Sequence, residues 1–164
     1  MAVESVSLDP GDAAFIQGGV SIIAAGRDGM NETTVSRAMG CRVSADRRHV
    51  TVFLSAARSG ALLSDIRANG IIAVVFSQPT SHRTIQLKGT DAAVVSLQDD
   101  DPHIWAAYRE QFAAEVRPLG FSDAFVRVTF KAPSGDVVAV TFTPSAAFLQ
   151  TPGPKAGTPL HTRS

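Results

Sequence analysis

Apolar positions recur along this chain with two different periods, and the switches between them divide it into elements. "VSIIAAGR" (20–27) is a β-branched apolar run that predicts a buried strand. "HVTVFLS" (49–55) and "IIAVVFS" (71–77) predict two more. "ETTVSRAMGCRVS" (32–44) reads as one strand, with Val35, Arg37, Met39, Cys41 and Val43 on one face and Ser36, Ala38 and Gly40 on the other. "SHRTIQLKG" (81–89) alternates: Thr84, Gln86 and Lys88 face one way, Ile85 and Leu87 the other, and the strand can continue through "AAVVSLQ" to 98. "DVVAVTFTPSAAFL" (136–149) opens as a last strand. Short polar turns such as "DGMN" and "ADRR" join the first three, which predicts an antiparallel meander.

Helical spacing interrupts this pattern. "LDPGDAAFIQGG" predicts a short helix entered at Asp9-Pro10 and ended by Gly18-Gly19. In "ALLSDIRANG", Leu62, Leu63 and Ile66 share a helical face, and Asn69-Gly70 is a stop. "DDDPHIWAAYREQFAAEVRPLG" is the clearest helix: Asp101 can cap it, Pro102 suits its first turn, and Ile104, Tyr108, Phe112 and Val116 form one stripe with Trp105 at its margin. "FSDAFVRVTF" (121–130) fits a short helix. The tail "QTPGPKAGTPLHTRS" carries too much Pro and Gly for regular structure, but too little charge for a free tail, so it is expected to pack over a cleft. The elements add up to an α+β domain over residues 1–150: a small antiparallel barrel of about six strands with flanking helices, followed by the 151–164 tail.

Composition narrows the function. Formal net charge is zero, which argues against a nucleic-acid partner held by bulk phosphate attraction. No apolar run is long enough to span a bilayer, and the first residues lack a basic stretch followed by an apolar one, so a cytoplasmic protein with no membrane attachment is expected. Cys41 is the one cysteine, which leaves no disulfide framework and no thiolate cluster for a metal. Positive charge is mostly arginine, which suits forked contacts to phosphate or carboxylate, although codon usage in a GC-rich genome gives the same bias.

Motifs for dinucleotides, Walker-type phosphate loops, zinc proteases and serine hydrolases are absent, and His49, His82, His103 and His161 stand apart without metal-ligand spacing. Two segments remain. In "SRAMGCRV" the 32–44 strand would put Arg37 among four apolar residues, where a guanidinium needs an anion or acceptor unless its stem reaches solvent. Beside it Ser36, Ala38 and Gly40 leave room near the backbone. In "FLSAARSGALL" a strand gives way to a helix through Ser55, Arg58, Ser59 and Gly60, a grouping that suits a phosphate or serves as a helix cap.

From Ala13 to Leu97 these residues, in this order, resemble the pyridoxamine 5′-phosphate oxidase-like split-barrel flavoproteins. The resemblance implies a split β-barrel, a homodimer with FMN at the interface, and a small-molecule substrate. It places the FMN phosphate on Arg37 with Ala38 beside it, and a substrate-facing basic residue on Arg42. Leu54 and Ser55 would offer backbone and hydroxyl to the flavin, Arg58 and Ser59 would stand in for a phosphate motif, and Thr84 would meet the ring edge. The sequence departs from the family at "RSGALL", which has no lysine, and lacks the C-terminal Trp and Arg motif of the vitamin B6 oxidase, so that enzyme is not implied. Two functions stay open: an FMN-dependent oxidoreductase, or a dimeric protein that binds or senses flavin, F420 or haem without turnover, with His49, His82 or His161 as a haem ligand. A structural dimer with an empty cleft is a third reading.

Overall fold

Pairs of neighbouring strands are dealt alternately to two sheets in this chain. A computed structural model describes residues 5–133 and 135–160. Helix α1 (Pro10–Ile16) starts where the sequence indicates, with the Asp9 carboxylate accepting from Asp12 N at 2.8 Å. Strands β1 (Ser21–Arg27) and β2 (Thr33–Arg37) form an antiparallel hairpin. Strands β3 (Cys41–Val43) and β4 (Val50–Ser55) form a second. Helix α2 (Gly60–Asn69) buries Leu62, Leu63 and Ile66 and ends at Gly70 with φ +67°, a left-handed cap that glycine adopts without steric cost. Then come β5 (Ile72–Ser77), β6 (Thr84–Gly89), β7 (Ala93–Val95), helix α3 (Asp101–Val116), a 3₁₀ turn (Arg117–Leu119) and helix α4 (Asp123–Thr129). Strands β8 (Val137–Phe142), β9 (Ala146–Leu149) and β10 (Thr158–Pro159) complete the chain.

The larger sheet has the order β10-β9-β6-β5-β1-β2 and the smaller β3-β4-β8-β7, with antiparallel pairing in both. The two sheets are not closed into one cylinder. They enclose a core in which Ile22, Val74, Phe76, Ile85, Leu87, Val52, Leu54 and Phe142 are essentially inaccessible. The architecture is therefore the expected α+β split barrel, reached with ten strands where the sequence suggested about six. Three segments that read as continuous or nearly so change sheets midway: 32–44, 84–98 and 136–149.

The first of these changes matters most. The 32–44 run is broken after Arg37, and Gly40 takes φ +147°, a region L side chains rarely adopt. A Cβ there would also meet Phe53, Trp105 and Tyr108, each at 3.5 Å. Alternation does not survive the bend: Ala38, Met39, Gly40 and Cys41 are all buried, whereas Val35 is 69% exposed and Arg37 is exposed. Of the expected apolar companions of Arg37, Met39 and Cys41 have thus turned into the core, while Val35 and the guanidinium face out.

Helix α3 lies over β4, which is buried along its whole length. Phe53 meets Trp105 edge-on at 5.5 Å, and the Tyr108 hydroxyl donates to Val20 O at 2.7 Å. Pro102 sits in the first turn as expected, but Asp101 does not cap α3. Its fully buried carboxylate instead accepts from Arg42 Nε at 2.9 Å and from Gln98 N at 2.8 Å. The tail is more regular than its composition suggests: Gly157 N donates to Leu149 O at 2.7 Å, and β10 extends the larger sheet. Its described residues, 151–160, lie at the opposite sheet edge from Arg37 and do not line this chain's recess beside it. Among the described residues, no helix is long and apolar enough to cross a membrane.

Candidate functional site

At the open end of β2, residues from both sheets and from the α3–α4 region surround a recess of about 420 Å³. Ser36, Arg37 and Met39 come from β2 and the bend after it, Ser55 from the end of β4, Arg58 from the turn into α2, and Thr129 and Phe130 from the end of α4. Behind them the Ser36 and Ser59 hydroxyls share a buried hydrogen bond of 2.6 Å, which ties β2 to the start of α2. Four of the residues singled out in the sequence, Arg37, Ser55, Arg58 and Ser59, are therefore brought together.

Electrostatically the recess is positive. Arg37 Nη1 donates to Ser21 Oγ at 3.0 Å and Arg58 Nη1 to Thr129 O at 2.8 Å. Among the described residues neither guanidinium forms an ion pair with a carboxylate. Both are exposed, so each retains donors for an incoming ligand. One carboxylate stands close behind: Asp136 accepts from Ser55 Oγ and from Ala57 N, the latter at 2.9 Å. The Ser55 hydroxyl, the Ala57 amide and the nearby Arg58 charge hold the Asp136 carboxyl below the usual carboxylate range. Asp136 has no signal in the sequence, because its partner Ser55 lies 81 positions away.

The remaining expected site residues lie elsewhere. Ala38 is fully buried, with its N–H spent on Ile22 O at 2.9 Å, and Leu54 is a core side chain. Thr84 is on β6, three strands from β2 and so about 14 Å away at ordinary strand spacing. Its hydroxyl bonds to Ser77 Oγ at 2.8 Å, and Ser77 stands directly opposite Ser21 on β1. A line of hydroxyls, Ser21, Ser77 and Thr84, thus crosses the sheet from Arg37, and its first two members carry no signal in the sequence. Arg42 faces away from the recess into its ion pair with Asp101.

Cys41 and Tyr108 are buried, and desolvation pushes both well above their ordinary pKa values, so both stay protonated. His49, His82 and His103 line neither this recess nor the one beside it, and His161 lies outside the described residues. Among the described residues, no cluster of three or more His, Cys, Asp or Glu could hold a metal ion.

No family model matches the chain, and no curated protein matches it significantly. Solved structures do share its fold. HupZ of Group A Streptococcus superposes with TM-score 0.56 at 15% identity, over 92% of this chain and 99% of that one. An F420 reductase gives 0.53 at 13% identity, over 85% and 98%. A pyridoxamine 5′-phosphate oxidase-related, FMN binding protein of Nostoc punctiforme gives 0.50 at 14%, over 91% and 88%. The fold is that of the pyridoxamine 5′-phosphate oxidase-like split barrels.

Proposed function

We propose that this chain is a dimeric flavin-binding protein in which Arg37 and Arg58 hold the phosphate of FMN. The observation that carries this reading is the convergence of two guanidiniums without carboxylate partners among the described residues, one from the edge of the larger sheet and one from the turn between β4 and α2, on a single recess lined by serine hydroxyls. A phosphate monoester is the anion such a donor set fits: it offers several acceptor oxygens to two forked donors. Ser36 and Ser55 adjoin the phosphate, and the hydroxyl line toward Thr84 supplies further polar partners along the sheet.

FMN, when bound, supplies hydride transfer to or from a small molecule. The residues around the recess bind and orient it. The outer face of the larger sheet supports the dimer: Val35, Ile23, Ala25, Ala73 and Val75 form an incompletely buried apolar surface across three strands. A second copy seated there would place both phosphate recesses near the interface.

The first experiment is the absorbance spectrum of the purified protein, with any released ligand identified by mass. Flavin bands and FMN are expected, and Arg37→Ala should lose most of the flavin; unchanged FMN retention in that variant would sink the assignment. Reduction of the bound flavin by NADPH or NADH, followed by reoxidation with an acceptor, separates an oxidoreductase from a flavin store or sensor. Release of F420, whose phosphate is a diester, would replace FMN as the cofactor and overturn the monoester assignment. A Soret band would replace the reading with haem binding.

A further inference from the structure

Arg37 also borders a second compartment. Past the end of α3, the 3₁₀ turn and Gly120 redirect the chain into α4, and this corner overhangs the start of β1. The space beneath it is about 250 Å³, walled by Phe112, Val116, Leu119, Phe121 and Phe125, with Arg37 at its margin. Leu119, Phe121 and Phe125 are 49%, 45% and 49% exposed, and the two phenylalanine rings stand 5.1 Å apart, tilted by 36°. Apolar side chains grouped around a concavity and left half in water mark a binding surface.

Charge and shape together select the occupant. Ser21, which accepts from Arg37 Nη1, lines this compartment and not the phosphate recess, so that edge of the guanidinium serves the apolar side. The compartment therefore combines aromatic and aliphatic walls with one planar cation. We propose that it is a ligand subsite of its own, which receives the aromatic ring or short hydrocarbon body of a small carboxylic acid whose carboxylate pairs with Arg37. A single guanidinium fork matches a carboxylate in two parallel hydrogen bonds, and the rings of Phe121 and Phe125 offer faces and edges to an aromatic guest. The subsite does not require flavin, although it shares Arg37 with the phosphate recess.

Calorimetric titration of the full chain with 4-phenylbutyrate, 4-phenylbutanol and butyrate tests it. Phenylbutyrate should bind about tenfold more tightly than either analogue, because each lacks one half of the recognition. Phe125→Ser and Leu119→Ser alter exposed positions and should weaken phenylbutyrate by about fivefold or more while leaving FMN binding intact. Arg37→Gln should abolish the difference between acid and alcohol. The proposal is overturned if the alcohol binds as well as the acid, or if Phe125→Ser leaves acid binding unchanged. It is also overturned if Phe125→Ser converts a dimer to a monomer in sedimentation, which would assign the corner to a second copy. Loss of FMN in Arg37→Gln with acid preference retained would remove this subsite and leave the phosphate assignment standing.

Discussion

Arg37 and Arg42 stand five positions apart on either side of one bend, and their surroundings could hardly differ more. Arg42, on the smaller sheet, is 22% exposed and locked to a carboxylate with no exposure at all, Asp101 at 2.9 Å. Arg37, on the edge of the larger sheet, is exposed, and among the described residues its guanidinium bonds only to the Ser21 hydroxyl. The same side chain is a structural tie in one place and an exposed, carboxylate-free donor in the other. What separates the two roles is the partner that the fold brings up: the start of α3 beneath Arg42, a recess beside Arg37. An arginine's function is decided by what the fold leaves unpaired.

The sharpest way to break this contrast is to remove each guanidinium and measure stability and binding separately. Arg42→Ala strands a buried carboxylate and should cost about 3 kcal/mol in urea unfolding. Arg37→Ala should change stability by no more than about 0.5 kcal/mol. Equal losses in the two variants would erase the distinction. Next in size is the bend itself. Gly40→Val forces a β-branched residue to φ +147° against Trp105 and Tyr108, for an expected loss of about 2 kcal/mol. A Gly40→Val protein that melts with the parent would show that the bend tolerates ordinary residues.

Smaller effects belong to the open side. Arg37→Ala and Arg58→Ala should each weaken FMN by about tenfold, read from flavin fluorescence, since each removes a charge-assisted hydrogen bond. A loss in only one would reduce the phosphate site to a single arginine. The smallest effect is pH-linked. Folding lowers the Asp136 pKa, so its contribution is complete above the ordinary Asp value of about 3.9 and fades as pH falls through the lowered folded value. Asp136→Asn should flatten that acid limb slightly in a stability–pH titration; an unaltered limb would mean that Ser55 and Ala57 are held by other contacts.

Local chemistry was the legible part of this protein. Asp9-Pro10 announces α1, Asn69-Gly70 ends α2, and the four-residue recurrence from Ile104 to Val116 marks the buried stripe of α3, because caps and amphipathic faces are written in neighbouring residues. The sheet changes were not legible. Ala38-Met39-Gly40 carries apolar residues through the bend, so an alternating pattern runs straight across a point where the chain leaves one sheet for the other. Arg37, Ser55, Arg58 and Ser59 could be nominated from residue type and from a family resemblance, and they meet around one recess. Asp101 was misread as a cap because its partner Arg42 is 59 positions distant. The aromatic corner escaped notice for a related reason: Leu119, Phe121 and Phe125 look like ordinary core residues until the turn after α3 leaves them half in water.

The alternate dealing of strand pairs to two sheets also governs how the chain can fold. β4 pairs with β8 across Val50 and Phe142, and β6 with β9, so every sheet waits on segments from distant parts of the chain. Neither sheet can form as an autonomous unit while the other is still being assembled. Such interleaving makes for high contact order, slow closure and one cooperative transition rather than two. A truncation before β8 would take an interior strand from the smaller sheet and the β9–β10 edge pair from the larger. Amides in β4 and β6 should accordingly exchange with solvent only through global opening, in step with each other although they belong to different sheets.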